Sequence, residues 1–222
     1  HLTKGTINMG FLEIRERIDA ACARANRDPA DVTLVAVTKG HTVSDIDDAI
    51  LKHGHTVLGE NRVQEWRDKA DALAEHDVTW HFIGNLQSNK VKYCTDFAVI
   101  HSLNSRKLAD KMQQQGEKRE HVYSVMVEVN VAGEDSKQGA ELEDARTLVK
   151  HAQSLSQVRV LGLMTIAPYS DDPETARPYF TRLRELRDEL GLAELSMGMS
   201  GDFEVAIEEG ATYVRIGSAL FD

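Results

Sequence analysis

Two cysteines, four prolines and two tryptophans are all that 222 residues contain of those types. Cys22 and Cys94 make no CxxC or other zinc-ligand spacing, and so few thiols fit a reducing cytoplasm. The nine histidines include no HExxH or comparable ligand pair, which argues against a metal centre. No apolar run is long enough to span a membrane. The first ten residues, HLTKGTINMG, lack an apolar signal core, so secretion is not expected. Residues 1–8 read as a disordered start or a remnant ahead of Met9. Positive charge is in deficit: 26 Lys and Arg against 36 Asp and Glu leave a net charge of −10. A broad basic face for nucleic acid is therefore not expected. Linkers rich in Pro, Gly or Ser are missing too, so nothing divides residues 9–222 into separate domains.

What is present is an alternation of short apolar runs with longer amphipathic ones. The first amphipathic stretch is about 9–26, with Phe11, Leu12, Ile14, Ile18 and Ala21 at helical spacings. Strand-like runs follow at 32–37, 56–58, 80–83, 97–100, 123–129, 158–164, 193–196 and 212–216. Helical segments lie between them at about 43–53, 61–75, 86–93, 105–116, 140–153, 173–190 and 202–209. Strands alternating with helices imply parallel pairing through crossovers. Eight such strands close a single (β/α)₈ TIM barrel, here with an extra N-terminal helix to cap one end. An open doubly wound sheet is the competing α/β arrangement.

The barrel reading puts the active end at the C-terminal ends of the strands. Polar motifs gather there: Lys39 after the first strand, GENRVQE (59–65), GNLQSNK (84–90), HSLNS (101–105), NVAGEDSKQG (130–139), TIAPY (165–169), MGMSGD (197–202) and GSALF (217–221). Lys39 follows the buried run Leu34–Val37. It could snorkel to solvent. Partly desolvated in the barrel mouth, its amine would instead be a usable nucleophile for an aldehyde. After strands seven and eight, where such barrels often bind phosphate, Ser200 and Ser218 offer hydroxyl donors. Gly217 permits close backbone approach, and a helix start near Asp202 offers N–H groups. As an N-cap and a turn glycine, Ser200 and Gly217 would have ordinary structural roles. Arg215, near the end of strand eight, could pair with a carboxylate inside the barrel or hold the ring nitrogen of a pyridine. An arginine keeps its proton, so that nitrogen would stay unprotonated and the ring would be a weaker electron sink.

The segments LVAVTKGHT, LGENRVQE, WHFIGNLQSNK, LGLMTIAP and LSMGMSGDFEVAIEEGATYVRIGSALF together resemble the YggS/PROSC family of pyridoxal-phosphate homeostasis proteins, over about residues 9–222. The resemblance implies a fold like the N-terminal barrel of alanine racemase. It implies pyridoxal 5′-phosphate (PLP) held as a Schiff base on Lys39, with Ser200, Gly217 and Ser218 at the phosphate. By the same resemblance Arg215 lies near the pyridine nitrogen, and Asn61 and Met199 lie beside the ring. Two positions depart from the family pattern: Arg62 where tyrosine is common, and Asn85 where proline or histidine is common. The implied function is PLP buffering or supply without robust turnover, with PLP-dependent apoenzymes as recipients and a cytoplasmic monomer as the default. A PLP-dependent amino-acid racemase is the alternative. The chain stops soon after strand eight, so the second domain of alanine racemase is expected to be missing, and with it the opposing tyrosine. Tyr169 and Lys137 are the mouth candidates to replace it; Tyr169 could equally cap a loop, and Lys137 could be a solvated charge or a transient PLP acceptor. A Schiff-base aldolase without PLP would use Lys39 but leave Arg215 without a role.

Overall fold

The computed structural model describes residues 10–133 and 139–222; the readings of residues 1–8 and of Lys137 lie outside the described residues. Eight strands close a barrel in sequence order: β1 Thr33–Val37, β2 Val57–Glu60, β3 Thr79–Phe82, β4 Val99–Leu103, β5 Tyr123–Glu128, β6 Val158–Met164, β7 Glu194–Ser196 and β8 Tyr213–Ile216. All neighbours are parallel, and β8 returns to β1 with Leu34 opposite Val214 and Val35 opposite Arg215. The helices are α1 Gly10–Arg24, α2 Val43–Ala49, α3 Val63–Ala72, α4 Arg106–Arg119, α5 Leu142–Gln153, α6 Arg177–Glu189, α7 Phe203–Glu208 and α8 Ser218–Phe221. The closed sheet rules out the open doubly wound alternative.

Strand parity sorts the side chains. In β8, Val214 and Ile216 join the large apolar core between the sheet and its helices, while Arg215 between them turns inward. Inside the barrel, Val99, Met126 and Met164 form a small cluster of their own, with Leu161 and Tyr213 against it. Polar groups share the interior with Val35: His81, His101, Glu128, Ser196 and Arg215 are all buried.

Some elements differ from the sequence-based expectation. The fourth strand runs Val99–Leu103, so His101 and Ser102, read as mouth loop, are buried strand residues. The segment expected as a helix at 86–93 is a 3₁₀ run, Ser88–Tyr93. There the Val91 carbonyl accepts from the Tyr123 hydroxyl at 3.1 Å, and the Cys94 amide also bonds to it in a tight three-residue step. Helix α1, expected to cap one barrel end, packs on α7 and α8 in the outer ring. Its inner face is Phe11, Ile14, Ile18, Ala21 and Cys22, and Arg17 fastens it to Glu204 of α7 at 2.6 Å.

Candidate functional site

A cavity of about 440 Å³ opens at the C-terminal ends of β1, β6, β7 and β8. Six of the seven expected binding residues line it: Lys39, Met199, Ser200, Arg215, Gly217 and Ser218. Lys39 lies two residues beyond β1, and Ser200 and Ser218 follow β7 and β8. The loop after β6 adds Ile166, Pro168 and Tyr169 to the lining. A larger cavity, about 550 Å³, lies beside α1 among His41, Asp45, Asp48 and Phe221, and none of the expected binding residues lines it.

Arg215 forms the floor. It is 3% exposed, and its guanidinium donates to Ser196 Oγ and, at 3.0 Å, to the Thr165 carbonyl. Burial pulls its pKa down to about 10, with Glu128 and Asp202 opposing, so it stays charged at neutral pH. Beyond it runs a buried chain: Ser196 Oγ meets His101 Nδ1 at 2.7 Å, and His101 Nε2 meets His81 Nδ1 at 2.8 Å. Arginine only donates. Ser196 therefore accepts from Arg215 and has its single proton for His101 Nδ1, since the reverse would leave a buried hydroxyl proton without an acceptor. His101 then carries its proton on Nε2 and donates to His81 Nδ1. Burial pushes His81 down to about 4 and, with the His81 and Arg215 charges adding to it, His101 well below its ordinary value; both are neutral at pH 7.

Lys39 is exposed, so the desolvation expected for it is not found, and among the described residues its amine has no hydrogen-bond partner. Asn61 is not part of the cavity wall; its Oδ1 is buried without a partner, and its backbone packs on Gly84. The helix start is also used differently. The amides of Asp202 and Phe203 both donate to the Met199 carbonyl, and the Asp202 carboxylate accepts from the Met199 amide at 2.8 Å. Burial raises the Asp202 pKa, with the Met199 amide and Arg215 opposing. With the Asp202 and Phe203 amides engaged, Ser200 and Ser218 are the hydroxyl-bearing residues that line the cavity after β7 and β8. Tyr169 is 90% exposed and its hydroxyl donates to Asp171 Oδ1 at 2.9 Å, a local loop contact. Arg62 and Asn85 are both exposed; Asn85 Oδ1 accepts from Asn104 Nδ2 at 3.4 Å. The sequence reading missed the His81–His101–Ser196 chain. For His81 the signal was present, since it lies between Trp80 and Phe82 in β3, whereas His101 is followed by Ser102 and Ser196 ends β7.

A closed parallel barrel with a lysine beyond β1 and hydroxyl donors beyond β7 and β8 matches a known architecture. Residues 13–222 fit the family model described as "Alanine racemase, N-terminal domain". An alanine racemase of Clostridium difficile 630 superposes with a TM-score of 0.71 at 14% identity, covering 94% of this chain and 59% of that one, a likeness of fold alone. The class is thus the alanine racemase N-terminal-domain barrel.

Within that class the sequence is more specific. It is 50% identical over 216 residues to the pyridoxal phosphate homeostasis protein of Aquifex aeolicus, covering 94% of each chain. It is 38% identical over 238 residues to the mouse protein of the same name, covering 97% of this chain and 86% of that one. PipY of Synechococcus elongatus, solved with PLP bound, superposes with a TM-score of 0.81 at 34% identity, covering 94% of this chain and all of PipY. The chain belongs to the family of pyridoxal phosphate homeostasis proteins.

Proposed function

We propose that this protein holds PLP covalently on Lys39 and buffers or supplies it, without robust turnover. The observation that carries the reading is the convergence, in one 440 Å³ cavity, of an amine, two hydroxyl donors and a buried guanidinium. That volume suits a cofactor-sized ligand. Gly217 adds a fit: a Cβ there would lie 3.2 Å from Val37, so a side chain would crowd the wall between Lys39 and Ser218. PLP supplies an aldehyde for an amine, a phosphate dianion for hydrogen-bond donors and a ring that withdraws electrons. Lys39 suits the aldehyde and is free to reach it. Ser200, Ser218 and the Gly217 backbone suit the phosphate. Arg215 suits the ring nitrogen; fixed as a donor by Ser196 and Thr165, it cannot give that nitrogen a proton at neutral pH. Met199 borders the ring, and Asn61, with its Oδ1 buried and without a partner, is the other residue assigned beside it.

The racemase alternative needs an acid–base group opposite Lys39, and Tyr169, exposed and bonded to Asp171, gives it no support. The recipients fitting a carrier are PLP-dependent apoenzymes, with a cytoplasmic monomer and no nucleic-acid or membrane partner. Among the described residues no helix is long and apolar enough to cross a membrane. The test is an absorption spectrum of the PLP-loaded protein before and after borohydride, followed by peptide mapping. Trapping should fall on Lys39 and vanish in Lys39→Ala; undiminished trapping on another lysine overturns the assignment. Incubation with L-alanine in deuterated water should show no exchange near ordinary enzyme rates, roughly 1–1000 per second.

A further inference from the structure

We infer that Lys69, on α3, is a positioning residue for Lys39. The inference rests on the reading above, that Lys39 takes the PLP aldehyde. Lys69 is 7% exposed and lies behind the barrel wall, between β2 and α3. Its ammonium has three protons and meets three acceptors: Glu60 Oε2 at 2.8 Å, Glu65 Oε2 at 2.6 Å and the Thr38 carbonyl at 2.6 Å. Glu65 Oε2 also accepts from the Gly40 amide at 2.6 Å, and the Thr38 hydroxyl bonds to Glu60 Oε2.

The residues on either side of Lys39 are thus tied to one buried ion cluster, Thr38 by its carbonyl and hydroxyl, Gly40 by its amide. Gly40 has a φ of +76°, a conformation that lets the chain turn sharply just after Lys39. Lys39 has no side-chain partner among the described residues, so these backbone ties decide where its stem begins. A plain anchor between α3 and the barrel would not need to reach the Lys39 loop. It would also avoid a buried charge cluster, which apolar residues of similar shape often replace at no loss. Here Glu60 even buries a second oxygen, Oε1, without a partner.

The experiment compares PLP with pyridoxamine 5′-phosphate, which keeps the ring and phosphate but has no aldehyde for Lys39. Lys69→Met removes the cluster's cation. Glu65→Gln is the milder change, at a half-buried carboxylate, and decides the matter should Lys69→Met not fold. For either variant, PLP affinity and the rate of borohydride trapping at Lys39 should fall tenfold or more, with pyridoxamine 5′-phosphate affinity within twofold of wild type. Lys69→Arg, which keeps a buried cation, should recover part of the loss. Equal losses for both ligands, or unchanged PLP trapping in a folded variant, overturn the positioning role alone. Wild-type protein that is never trapped at Lys39 overturns the earlier reading and this one together.

Discussion

A hydroxyl that holds a phosphate and one that only lines a cavity differ in what their removal costs. Ser200 and Ser218 line the cavity and on the proposed reading donate to a dianion; a hydrogen bond to a charged group contributes about 1.5–3 kcal/mol. Ser200→Ala and Ser218→Ala should each weaken PLP binding roughly tenfold or more, since about 1.4 kcal/mol is tenfold. Pyridoxal has the same aldehyde and no phosphate, so its affinity should stay almost unchanged. Titration of both ligands against wild type and variants checks this, and equal losses would move the phosphate elsewhere. Lys39 and Arg215 were legible in the sequence because each interrupts or ends an apolar run whose parity aims it inward. Asn61 was not, because its match to a family position says nothing of the Gly84 backbone that packs on it. Nor could parity foresee the exposure of Lys39, which depends on the loops around it and not on its place in the run.

At the scale of the elements, strands were easier to read than helices. Buried runs such as Leu34–Ala36 declare themselves by composition, whereas α8, four residues long and not expected, has no room for a repeating pattern. The fourth strand slipped because His101 and Ser102 look like loop residues until the interior partners of His101 are known. Tight strand contacts also leave a mark. A Cβ on Gly162 of β6 would lie 1.9 Å from the Glu194 carbonyl oxygen of β7, and backbone cannot step aside as a side chain can. Gly162→Ala should therefore lower stability by about 2 kcal/mol or more, in the range of overpacked cores. Urea unfolding measures it; a loss below about 0.5 kcal/mol would mean that β6 and β7 separate easily.

For the whole molecule, acid should act through the barrel interior. Unfolded, His81 titrates near 6.5; folded, near 4. Between those values the unfolded chain binds a proton that the folded chain refuses. Its contribution is complete above about 6.5 and is lost as the pH falls toward 4, a difference of roughly 3 kcal/mol. Glu60, Glu128 and Asp202, raised mainly by burial, work the other way and gain as the pH falls. A comparison isolates the histidine: between pH 7 and 4.5, His81→Asn should lose roughly 2 kcal/mol less stability than wild type. Identical pH profiles for the two would place the titrating groups elsewhere. The pairing of β8 with β1 sets an order in time as well. Gly217 and Ser218 are synthesised some 180 residues after Lys39. Until they emerge and β8 zips onto β1, a nascent chain offers the amine without the donors proposed for the phosphate. On the proposed reading, PLP captured during synthesis would be held weakly by the lysine alone, and retention begins only with the closed ring.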